Sequence, residues 1–286
     1  MNIQVIQVPY DSGHESLRTG RGPDYFLQRG MSQLLESEGH SVEVHRLESK
    51  ETFRADIETT FELDRLLADQ VNAAISKDAF PFVLSGACHS CVGLLAGLGS
   101  ESVGMIWFDS HGDFNTPETT ISGMLDGMGV AMATGRCWRA LLKTIPGFRP
   151  ILEERVVHIG ARDLDPEEEI NLKGSNIRLV LPNEDTDFMR ETLNTALDNL
   201  AKSVDQLYLH IDLDVLDTGE ALVNHADTPG GMSLDLVLEF LRTIKKKFTI
   251  RAGAIGSFDP DYDRNDIVLH AGFEIVRALT DTGGTS

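Results

Sequence analysis

Between Val103 and Asn115 the chain reads VGMIWFDSHGDFN, and this stretch constrains the fold more than any other. An apolar run, Val103 to Phe108, has the length of a buried strand and then breaks into Asp109, His111 and Asp113 at alternate positions. In extended backbone, residues two apart share a face. The spacing therefore predicts that all three side chains project together from a strand end. Charge at the rim of an apolar core is costly unless it is paired or holds a cation, so the pattern points to a metal site.

A second stretch repeats the device. Gln206 to Asp217, QLYLHIDLDVLD, is again an apolar strand pattern, and it ends in Asp212 and Asp214, two apart. Bringing two carboxylate clusters together without cations is expensive. With cations between them they form a dinuclear site in which a carboxylate from each strand can bridge.

The rest of the chain alternates between strand and helix patterns. Strands are expected at Val5 to Pro9, Val42 to Leu47, Phe80 to Leu84, Arg155 to Gly160, Ile177 to Leu181 and in IRAGAIG before Ser257. Helical spacing covers Ile57 to Ile75, Asp185 to Ser203, Leu234 to Lys247 and Ile267 to Leu279. The small-residue stretch SGMLDGMGVAMATG reads as a further helix, and Asp165-Pro166 as a helix N-cap followed by proline at the first helical position. Such alternation implies an α/β fold with a mostly parallel sheet covered on both faces. Ligands then bind beyond the carboxyl ends of the strands, where both acid clusters fall. No repeat or linker is visible, so residues 1–286 are expected to form one domain.

A net charge of −20 argues against nucleic acid or an anionic membrane as partner and favours a small cationic substrate. Three cysteines, Cys88, Cys91 and Cys137, make no disulfide framework, and with no apolar stretch near eighteen residues the expectation is a cytoplasmic protein. Cys88 and Cys91 also form a C-x-x-C, but a redox reading leaves the aspartates unexplained. His210, inside a strand, reads as a core residue; His225, in the loop VNHADTPGGMS, as an exposed one that can reach the pocket.

The order GACHS, DSHGDFN, HIDLDVLD resembles the ureohydrolases, which include arginase, agmatinase and formimidoylglutamase, and the likeness runs from GRGP near the start to SFDP near the end. The resemblance implies a three-layer arginase-like fold and a binuclear manganese centre that activates water against a guanidinium or amidine carbon. It also implies homo-oligomers, trimers or hexamers. By position, Asp109 and Asp212 would bridge both metals, Asp113 would complete one site, and His111 with Asp214 the other. The family's remaining ligand is a histidine in GGDHS, where this chain has GACHS. Matching letters selects His89, whereas an ungapped match anchored on Val83-Leu84 and Gly93 selects Cys88 and is favoured. A sulfur donor fits zinc, iron or cobalt better than manganese.

Three more positions carry over. Asp126 falls where arginases have a proton-shuttling histidine and is the expected proton-transfer group. Asp163 matches the aspartate beside the substrate's α-amino group. Ser257 replaces a glutamate that pairs with the guanidinium, a strong orienting contact for a planar cation. The departures at Cys88, Asp126 and Ser257 favour a specialised substrate such as Nω-hydroxy-L-arginine over arginine. Agmatinase-like, formimidoylglutamase-like or deformylating chemistry is the alternative within the class. Outside it stands a non-catalytic binding or regulatory subunit, against which the retained aspartate and histidine ligands argue.

Overall fold

The computed structural model describes residues 1–50, 52–99 and 103–281. Eight strands form one sheet: β1 Asn2–Val8, β2 Ser41–Arg46, β3 Phe80–Ser85, β4 Gly104–Phe108, β5 Val156–Ile159, β6 Arg178–Val180, β7 Gln206–Asp212 and β8 Thr249–Gly256. Their spatial order is β2-β1-β3-β8-β7-β4-β5-β6, and every pairing is parallel. The strands at the centre of this order, β3, β8, β7 and β4, therefore deliver their carboxyl ends side by side. Cys88, Ser257, Asp212 and Asp109 stand at or just beyond those four ends.

Helices cover both faces. Phe26, Met31, Leu197, Leu241 and Ile275, from five helices, pack with Ile106, Phe108, Leu209 and Ile211 of the sheet on one side. On the other, Leu67 and Val71 of the helix Asp56–Ser76 and Leu95 of the helix Cys91–Leu98 pack with Met105, Trp107 and Tyr208. The period of two along β4 and β7 puts Trp107, Tyr208, His210, Asp109 and Asp212 on this second face.

The expected elements are present with ends shifted by a few residues, except that SGMLDGMGVAMATG is helical only in part: a 3-10 turn Asp126–Met128 leads into a five-residue helix Gly129–Ala133. Gly123 has φ +74° and Gly127 lies outside helical geometry, so the glycines stop an earlier start. Before the helix Pro166–Lys173, Asp165 and Glu168 form a capping box. Among the described residues no helix is long and apolar enough to cross a membrane.

Candidate metal centre

Two interlocked turns build the site. Beyond β4, the Asp109 carboxylate accepts from the His111 backbone N–H at 2.7 Å and from the Trp107 indole N–H at 3.0 Å. Beyond β7, the Asp212 carboxylate caps the short turn Leu213–Val215 by accepting from the Asp214 N–H at 3.0 Å. The Ser110 N–H then donates to Asp214 at 3.0 Å, tying one turn to the other. Gly160 closes over both, with φ +103°; a Cβ there would lie 2.8 Å from the Asp109 carbonyl oxygen and 2.6 Å from Val215 Cγ2. At Gly86 a Cβ would lie 2.5 Å from the Tyr10 carbonyl oxygen and from Gly20 Cα. That approach brings Asp11 and Thr19 of the first loop into the site.

Strand alternation accounts for only part of the convergence. Asp109 and His111 follow it, and His111 makes an isolated parallel bridge with Asp163. Asp113 arrives instead through a left-handed residue, its own φ being +48°, and Asp214 through the 3-10 turn. The common destination is a cavity of about 380 Å³ lined by Cys88, Asp109, His111, Asp113, Asp126, Asp163, Asp212, Asp214 and Ser257. His225 is exposed and also lines it, at the mouth.

Donor atoms of Asp109, His111 and Asp214 lie within 4.8 Å of one another, as do those of Cys88, Asp109 and Asp212. The two groups share Asp109. Asp113 belongs to neither, but its Oδ2 is buried and has no hydrogen-bond partner among the described residues, an orphan that a cation would satisfy. A set of carboxylate oxygens, one imidazole and one sulfur, overlapping through a shared carboxylate, fits two divalent cations.

Electrostatics point the same way. Burial, then the charge of Asp214, lifts Asp109 to about 7. Burial and neighbouring carboxylates also push Asp113 and Asp212 well above the usual range. Burial alone would raise Asp214 too, but the His111 ring 3.2 Å away and the Ser110 N–H hold it low. Burial opposes charge on His111, yet Asp214 and Asp109 keep its proton on. Clustered carboxylates of this kind call for positive charge, which a cation supplies better than a proton.

Cys88 and His89 point to different places. Cys88 Sγ lies 3.1 Å from Asp212 Oδ2 and 3.2 Å from Ser257 Oγ, inside the cavity. His89 is buried behind it, its ring 3.8 Å from the Asp64 carboxylate. Cys91 turns its thiol to the Gly129 carbonyl at 3.4 Å, so the two sulfurs of the C-x-x-C have separate partners, and all three cysteines are free. Asp126 accepts from the Cys88 backbone N–H, and burial raises its carboxyl to about 6. Asp163 accepts from the Thr228 hydroxyl at 2.6 Å.

Arg162 escaped the sequence reading. Its guanidinium donates to the carbonyls of Asp214 at 2.8 Å, Leu216 at 3.2 Å and Thr228 at 2.8 Å, clamping the turn after β7 to the loop that faces Asp163. Asn224 is another: its side chain donates to the Ser257 carbonyl at 3.0 Å. Both act on backbone carbonyls, which no residue spacing advertises.

Residues 1–280 match the model of the Arginase family. Over 244 residues, 81% of each chain, the protein is 34% identical to "Arginase" of Bacillus subtilis (strain 168). An arginase structure from Bacillus cereus superposes with TM-score 0.88 at 26% identity, covering 98% of both chains. A formimidoylglutamase structure from Bacillus subtilis superposes at TM-score 0.75 with 18% identity, over 97% of this chain and 85% of that one, and shows a shared fold.

Proposed function

Because this chain belongs to the arginase family of hydrolases, we propose that it hydrolyses a C–N bond of a small guanidino compound at the cavity between Asp109 and Asp212, with an N-hydroxylated guanidine such as Nω-hydroxy-L-arginine preferred to arginine. The observation that carries the reading is the pair of overlapping donor groups sharing Asp109. Asp109 and Asp212 would hold two cations jointly, Cys88 and Asp113 completing one site and His111 with Asp214 the other. Two such cations, manganese by resemblance or zinc, iron or cobalt in view of the Cys88 sulfur, supply charge neutralisation and an acidified water.

The protein's own groups do the rest. Asp163 at the cavity wall takes the α-amino group, its position fixed by the Thr228 hydroxyl. Asp126, raised to about 6, holds and releases a proton near neutrality and is the group that protonates the leaving nitrogen. Ser257 is buried, and its hydroxyl faces the reacting end of the cavity beside Cys88. A hydroxyl orients a neutral group as well as a charged one, whereas a guanidinium without a carboxylate partner forfeits a charge-assisted contact of about 1.5 to 3 kcal/mol.

The test is turnover on a panel of guanidino, N-hydroxyguanidino, amidino and formamido compounds. The ratio of kcat/KM for the N-hydroxyguanidine over arginine is expected to exceed about ten, the lower bound of that lost contact. Equal turnover of the two would refute the substrate assignment, and a panel with no turnover in metal-loaded protein would favour a binding subunit.

A further inference from the structure

Behind the cavity lies a row of polar groups that the hydrolytic reading leaves unused. Trp107, Tyr208 and His210 are wholly buried on one face of the sheet. The His210 ring stacks on Trp107, with centroids 3.6 Å apart and planes 4° from parallel, so its orientation is fixed. Each ring nitrogen has a partner: the Tyr208 hydroxyl lies 2.7 Å from Nδ1, and Cys88 Sγ lies 3.3 Å from Nε2. If Nδ1 carried the proton, the buried Tyr208 hydroxyl would be left to find another acceptor, and among the described residues its side-chain partner is His210. The phenol therefore donates to Nδ1, and the proton of the neutral ring sits on Nε2, aimed at the sulfur. Cys88 in turn donates to Asp212 Oδ2 at 3.1 Å. Hydrogen bonds thus run in one direction, from Tyr208 through His210 and Cys88 to Asp212.

We propose that His210 is a positioning residue for Cys88: its Nε2–H, fixed by Tyr208 and by the Trp107 stack, donates to the sulfur and tunes it as a metal ligand. This deepens the reading of Cys88 as a ligand and rests on it. A cation held by Cys88 would bind it as a thiolate, and the His210 N–H and the Ser257 hydroxyl are the side-chain donors beside the sulfur. An N–H donor withdraws charge from a thiolate and makes it a weaker, harder donor, which suits a site otherwise built of carboxylates. The same stack serves the carboxylate common to both donor groups, since the Trp107 indole N–H donates to Asp109 Oδ2 at 3.0 Å.

The test uses the full protein loaded with cobalt(II), read by metal content and by the thiolate-to-cobalt charge-transfer band in the near ultraviolet. The unmodified protein is expected to show the band, and Cys88→Ser to lose it. His210→Phe keeps a stacked ring but removes the N–H, and should shift the band to longer wavelength with cobalt still bound. His210→Gln, which can return an N–H to the sulfur, should move it back. Tyr208→Phe preserves volume and frees the tautomer, giving a smaller shift in the same direction; it decides alone if His210→Phe does not fold. A band unmoved by His210→Phe, or a shift that His210→Gln does not reverse, overturns the role of His210 while leaving Cys88 as ligand. A cobalt-bound protein with no band overturns the ligand reading itself, and His210 with it.

Discussion

Cys88 Sγ and Ser257 Oγ lie 3.2 Å apart, joining two residues that are 169 positions apart in sequence. With Asp126 they are the three positions at which the resemblance to the ureohydrolases expects a larger group, a histidine at 88 and a glutamate at 257. Their contact makes the departures one local change: a carboxylate at 257 would face the same sulfur and the Asp212 carboxylate bonded to it.

Ser257→Glu should accordingly move specificity toward the cationic substrate. Restoring a charged partner for the guanidinium is expected to raise kcat/KM for arginine about ten- to a hundredfold relative to the N-hydroxylated analogue, matching about 1.5 to 3 kcal/mol. Steady-state kinetics on both substrates check this; an unchanged ratio would show that Ser257 does not set specificity.

Asp109→Ala and Asp212→Ala should each abolish turnover and lower metal content, because each removes a carboxylate proposed to hold both cations. Metal loading should also raise the unfolding temperature of the unmodified protein and do so less in either variant, since a cation that binds only the folded state stabilises it. Elemental analysis finding full metal in both variants would sink the dinuclear reading. His225→Ala, at the exposed mouth, should leave metal content alone.

Cys88→His is expected to keep or improve manganese binding by supplying imidazole, and Cys88→Ala to lose one metal selectively. His89→Ala should instead keep both metals while losing about 1 to 3 kcal/mol of stability, since it removes the buried ring that faces the buried Asp64 carboxyl. Metal analysis beside urea unfolding separates the two positions, and selective metal loss in His89→Ala would reverse the assignment.

Arg162→Met should destabilise the protein by about 3 kcal/mol, because the carbonyls of Asp214, Leu216 and Thr228 lose a common donor. Arg162→Lys should recover only part, since an ammonium cannot span that fork. Denaturant unfolding of both variants, with and without metal, decides; equal stability of all three proteins would mean that the clamp contributes nothing.

Two apolar runs ending in Asp109, His111, Asp212 and Asp214 were enough, by local pattern alone, to announce two strands with acids clustered at their ends, and the alternation of strand and helix patterns announced the parallel sheet, because the period of two and the cost of charge beside a core are properties of the chain itself. Which of Cys88 and His89 enters the cavity was not local. It depended on which side chain the turn after β3 directs over the sheet and which toward the helix Asp56–Ser76, and one residue of rotation separates the two outcomes. Asp113 reaches the cavity only through a left-handed backbone that its spacing misdescribes as strand. Arg162, Asn224 and His210 act on a carbonyl or a sulfur contributed by distant segments. Hydrogen-bond partners of that kind exist only once the sheet order has brought the ends of β3, β8, β7 and β4 together, so tertiary structure alone decided them.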